Sequence, residues 1–136
     1  MLGFSSAKQM LSLDDTGILC DANGCEKWRV RWSTIRRIAY ATEDTSPAVT
    51  DDHFLALETQ ERVYYISLDV SGCADVEKEL QRRFPFTMGP KGCLSNSTAD
   101  DSVIVWPPSE AGTELITVSA RERGTTRVPI TYVLSS

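Results

Sequence analysis

Gly17-Ile18-Leu19-Cys20-Asp21-Ala22-Asn23-Gly24-Cys25-Glu26-Lys27-Trp28-Arg29-Val30-Arg31-Trp32 is the stretch whose reading decides the fold. Asn23-Gly24 is the strongest short hairpin signal, because a type I′ turn needs positive φ at both central residues. After the turn, Trp28, Val30 and Trp32 alternate with Lys27, Arg29 and Arg31. Side chains change face at every strand residue, so this pattern sends the apolar set to a core and the cations to water. A two-residue turn pairs Ala22 with Cys25, Asp21 with Glu26 and Cys20 with Lys27. The same register sets Leu19 against Trp28 and Gly17 against Val30.

Strand signals continue on both sides. Residues 8–13 read as a first strand, and Asp14-Asp15-Thr16-Gly17 reads as a turn opened by Asp and closed by Gly. Residues 35–41 form a further strand, and 42–52, built from Thr, Glu, Asp, Ser, Pro and Ala, form a loop. The runs 53–59 and 62–68 pair across the Gln60-Glu61 turn, which opposes Leu57 to Tyr64 and Leu55 to Ile66. The period then changes. Val76, Leu80 and Phe84 fall at i, i+4 and i+8, with Asp75 early and Arg82 and Arg83 late, predicting an amphipathic helix over 73–84 that Pro85 ends.

Residues 87–101, rich in Gly, Pro, Ser, Asn and Thr, read as a linker. Ser102-Val103-Ile104-Val105-Trp106 reads as a strand stopped by Pro107-Pro108. Residues 114–120 and 126–134 carry alternating β-branched residues and read as two more strands, with Pro129 confining the last to a sheet edge. The expected fold is mainly β: an antiparallel barrel or sandwich capped by one helix. Residues 1–86 form the domain, and 87–136 add a linker and extended strands to it.

Composition narrows the function. The 136 residues are 41% hydrophobic and 24% charged, which suits a folded chain rather than a disordered one. No run approaches the 18 or so apolar residues needed to cross a bilayer, and the N-terminus lacks a signal-peptide pattern, so a cytoplasmic location is expected. Net charge is -5, which disfavours nucleic acid as a partner. Cys20, Cys25, Cys73 and Cys93 lack metal-ligand spacing and read as reduced, buried or half-buried thiols. Asn96-Ser97-Thr98 matches a glycosylation acceptor but stands without a secretory context.

The order of elements over residues 14–84 resembles that of small bacterial domains with a pleckstrin-homology-like fold. The resemblance rests on "LDDTGILC", "WRVRWSTIRRIAYATED", "DDHFLALE", "VYYISL" and "VEKELQRRFP". It implies a lipid- or protein-binding module, and some proteins of this look are similar to immunity proteins that neutralise a toxin from a neighbouring gene.

No hydrolase elbow, phosphate-binding loop or dinucleotide fingerprint is present. His53, the only imidazole, falls on the face of Leu55 and Leu57 and reads as a packed or hydrogen-bonded structural residue. The acid pairs Asp14-Asp15, Asp51-Asp52 and Asp100-Asp101 are sequence neighbours, which on a strand point to opposite faces. The chain therefore reads as a non-enzymatic binding protein without metal or cofactor.

Two charge patches divide the readings. Residues 42–61 hold Glu43, Asp44, Asp51, Asp52, Glu58 and Glu61 with no Lys or Arg. With Tyr40 and Trp106 as aromatic anchors, the acids at 43, 44, 51, 52 and 58 would meet a basic cognate toxin. Residues 27–37 hold Lys27, Arg29, Arg31, Arg36 and Arg37 with no acid. There Lys27, Arg29, Arg31 and Arg36 would hold an anion or a lipid head group, although Asp21 and Glu26 flank the turn and a membrane partner is disfavoured. The strand-like tail offers a third role, self-assembly through a sheet edge.

Overall fold

The computed structural model describes residues 9–42, 53–86 and 101–134. Strand β1 (Gln9–Leu13) precedes the hairpin of β2 (Gly17–Ala22) and β3 (Cys25–Arg31). Asn23 and Gly24 take φ values of 53° and 75°, as the turn requires. Trp28, Val30 and Trp32 turn to the core, half-buried for Trp28 and buried for the other two.

The register of the hairpin corrects the expected one. Asp21 pairs with Glu26, but Cys20 then faces Trp28 and Ile18 faces Val30. Lys27 is an extra residue on β3, a bulge. Because strand faces alternate, one inserted residue reverses the face of everything beyond it on the partner strand. Ile18 and Cys20, not Leu19, therefore share the inner face with Val30, and both are fully buried. Gly17 lies against Arg31, where a Cβ would stand 2.0 Å from the Val30 carbonyl oxygen. Only glycine allows that approach.

A 3₁₀ turn, Trp32–Thr34, leads to β4 (Arg37–Thr42), which pairs with β5 (His53–Glu58), and β5 pairs with β6 (Val63–Ser67). Leu57 faces Tyr64 and Leu55 faces Ile66, as read from the sequence. Helix α1 (Cys73–Arg83) buries Cys73, Val76 and Leu80 and ends before Pro85. Strand β7 (Asp101–Trp106) joins β4, a 3₁₀ turn spans Pro108–Glu110, helix α2 covers Leu115–Arg123, and β8 (Ile130–Val133) joins β6.

Two sheets result, one ordered β1-β2-β3 and the other β7-β4-β5-β6-β8. Neither closes into a barrel among the described residues, and the β6–β8 pair is parallel, so the antiparallel barrel expectation is corrected while the mainly β class stands. The late strands flank the larger sheet on both sides. Strand β8 does lie at an edge, the position that Pro129 implied.

Segment 114–120, expected to be a strand, is instead the start of α2. The Glu114 carboxylate accepts hydrogen bonds from the Ile116 and Thr117 amides, capping the helix, and Gly124 closes it in the left-handed region at φ 65°. The helix changes the architecture, because it covers the second face of the larger sheet. On one face Ile38, Tyr40, Leu55, Leu57 and Ile66 pack with the three-stranded sheet and α1. On the other, Ala39, Ala41, Phe54, Ala56, Tyr65 and Ile104 pack under Leu115. A strand buried on both faces loses its apolar–polar alternation, and β5 is buried from Phe54 to Glu58.

Candidate functional site

The charges that the sequence singled out separate into an interior set and a surface set. Arg37 and Glu58 face each other across β4 and β5, on the face that α2 covers. The Arg37 side chain is only 6% exposed and the Glu58 side chain 1%. Arg37 Nη1 donates to Glu58 Oε1 at 2.6 Å, Nε to Glu110 Oε1 at 2.7 Å and Nη2 to Glu122 Oε2 at 2.7 Å. The second Glu58 oxygen accepts from Ser119 and from Arg123, the latter at 3.3 Å. Arg123 also donates to the carbonyls of Thr59 and Gln60 at 2.8 and 2.9 Å, and Arg36 pairs with Glu122.

Three arginines thus meet three glutamates, and the network ties both α2 and the Pro108–Glu110 turn to the sheet. A buried guanidinium is tolerable only with such compensation. Hydrogen bonds from Arg37 to Glu110 and then to Glu122 raise the arginine's pKa, so it remains charged. The Glu122 carboxyl is held below its ordinary 4.5, first by the hydrogen bond from Arg37, with the charges of Arg37 and Arg36 adding to it. Glu58 was expected on an acidic surface; it is an interior counter-ion, placed there by its register opposite Arg37.

Tyr40 is likewise fully buried, with its hydroxyl donating to Glu77, so it offers no surface anchor. Trp106 is half-buried against Phe84, with ring centroids 4.7 Å apart. His53 opens β5 with an exposed side chain. Glu43, Asp44, Asp51 and Asp52 lie outside the described residues. Cys20 and Cys73 are buried free thiols that burial pushes up to about 11 and about 12, while Cys25 is exposed; Cys93 lies outside the described residues.

The surface set forms a groove of about 470 Å³. Arg29, Val30, Arg31 and Arg36 line it, together with Ser33, Thr34, the turn 59–61 and Tyr64. Tyr64 is fixed by Trp28, whose ring centroid is 4.7 Å away. Consecutive residues 29–31 all line the groove, so it runs along the edge of β3 instead of over one face. Lys27, displaced by the bulge, is not among the lining residues.

Within the groove the cations differ. Arg29 bridges to Asp14 at 2.7 Å and lies 3.9 Å from Glu26; the Asp14 carboxyl is pulled well below the usual range, chiefly by the Arg29 hydrogen bond and then by Thr16. Arg36 shares Glu122 with Arg37. Arg31 is exposed and has no ion pair or side-chain hydrogen bond among the described residues. Among the described residues the only acid on the lining is Glu61. Sequence reading found these cations but not the groove, which needs β3 and the β5–β6 turn side by side.

Among the described residues no helix is long and apolar enough to cross a membrane. Comparison with protein-family models, with curated proteins and with solved structures finds no match to this chain.

Proposed function

We propose that the chain is a non-enzymatic binding module that holds an anionic ligand in the groove beside β3. The observation that supports it is Arg31: an exposed cation without a counter-ion among the described residues, in a groove shared with Arg29 and Arg36, which are both ion-paired. Guanidiniums suit carboxylate and phosphate because each offers planar, paired donors. A chemical-shift titration with inorganic pyrophosphate at low salt tests the reading. Shifts centred on Arg29, Arg31 and Arg36, weakened at least tenfold by Arg31→Glu and by added salt, are the expected result. No shift at these residues even at low salt ends it.

A second reading, an immunity-type inhibitor of a basic cognate toxin in the cytoplasm, draws on the net charge of -5 and on a 42–61 segment without Lys or Arg. Its acids are Glu43, Asp44, Asp51 and Asp52, without Glu58. Charge reversal at two of these positions, scored by pull-down from the native host, distinguishes it from the groove reading.

A further inference from the structure

We infer that the ligand of this groove is an extended acidic polypeptide that adds to the free edge of β3 as a fourth strand. The inference rests on the groove reading above and names its partner class.

The backbone argument comes first. Strand β3 has one partner, β2, so its other edge is open among the described residues. The Trp32 amide donates to the Thr16 carbonyl, which fixes the phase of the ladder at that end. In an antiparallel pair, residues alternate between pointing their N–H and C=O at the partner and pointing them away. With Trp32 directed at β2, Val30 is too, and Arg29 and Arg31 present their main-chain groups to the groove. The Arg31 carbonyl is taken by the Thr34 hydroxyl at 2.7 Å. Among the described residues the Arg29 amide and carbonyl and the Arg31 amide remain without a partner, spaced as one repeat of a ladder.

Charge then selects the occupant. The side chains of Arg29 and Arg31 fall on the same face of that edge, with Arg36 nearby on the groove wall. Cations along an open edge repel a second strand of the same kind, which blunts indiscriminate pairing. The same cations favour an added strand with carboxylates at alternate positions. Between two such carboxylates, the intervening side chain points the other way, toward the wall formed by Val30 and Tyr64. The recognised pattern is therefore acid–apolar–acid in an extended segment, with main-chain bonds supplying affinity and the arginines supplying choice.

A synthetic peptide alternating Asp and Val is the probe, compared with the same peptide N-methylated on the residues facing β3. The readout is amide hydrogen exchange at Arg29 and Arg31 in the whole chain. The expected result is exchange slowed at least tenfold at both amides by the unmodified peptide. N-methylation and Arg31→Glu should each weaken binding at least tenfold. If both peptides bind equally and neither amide is protected, strand addition is wrong while the anion groove survives. If neither the peptide nor pyrophosphate binds, both fall together. Binding that ignores Arg31→Glu overturns the acidic class, and protection that grows with protein concentration alone makes a second copy the occupant and overturns the peptide.

Discussion

Arg31 and Arg37 lie a few residues apart in one basic run and meet opposite fates. Arg37 points to the face that α2 covers, and three carboxylates converge on it. Arg31 points to water from an open sheet edge and has no carboxylate among the described residues. The residues are chemically identical, so environment alone decides which charge is spent on the fold and which stays exposed to water. A charged run in a sequence is thus a mixture, and the two uses separate only when strand faces are known.

The comparison breaks first at Arg37. Arg37→Leu strips the buried Glu58 of its nearer cation and leaves it only the longer pair with Arg123, so chemical denaturation should show a loss of about 3 kcal/mol. Arg37→Leu with Glu58→Leu removes both charges and should recover at least half of that. If the single variant unfolds with wild-type stability, the network does not hold α2 as described. Next in size is Glu114→Ala, which removes the cap of α2 and should cost about 1 kcal/mol by thermal melting.

Acid provides a smaller effect. Glu122 has a folded-state pKa below 4.5, so its contribution is complete above 4.5 and fades as the pH falls through the lowered value. Its side chain is 41% exposed, so solvent screening limits the loss to under about 1 kcal/mol. Stability measured in denaturant against pH should therefore decline more steeply below pH 4.5 in the wild type than in Glu122→Gln. Coincident curves would remove Glu122 from the stabilising part of the arginine–glutamate network.

The smallest effect on stability belongs to Arg31→Glu. It should shift the unfolding free energy by no more than about 0.5 kcal/mol, while anion affinity falls at least tenfold. A destabilised Arg31→Glu protein would mean that this arginine serves the fold after all, and the contrast with Arg37 would disappear.

Local signals in the sequence were sufficient for the Asn23-Gly24 turn, the pairing of Leu57 with Tyr64, and α1, because each depends on residues close in the chain. The bulge at Lys27 was not legible, since it satisfies the burial of Ile18 and Cys20 against strands that arrive later. Helix α2 was hidden by β-branched Ile116, Thr117 and Val118 and by a buried side that includes the polar Ser119. Its boundaries did carry a trace: basic Arg121 and Arg123 in the last turn, then Gly124. Of the candidate site, the cations Arg29, Arg31 and Arg36 were visible. The burial of Glu58 was not, because it depends on a register between β4 and β5 across a segment of unrelated composition.

The strand order β7-β4-β5-β6-β8 also bears on how the chain reaches this state. The middle three strands can pair with near neighbours in sequence, yet both of their flanks come from far downstream. Until those flanks arrive, a two-sided apolar ladder stands with bare margins, the kind of intermediate that couples slow closure to aggregation. Refolding at rising protein concentration should therefore lose yield before it loses rate, and a chaperone that shields strand margins should restore it.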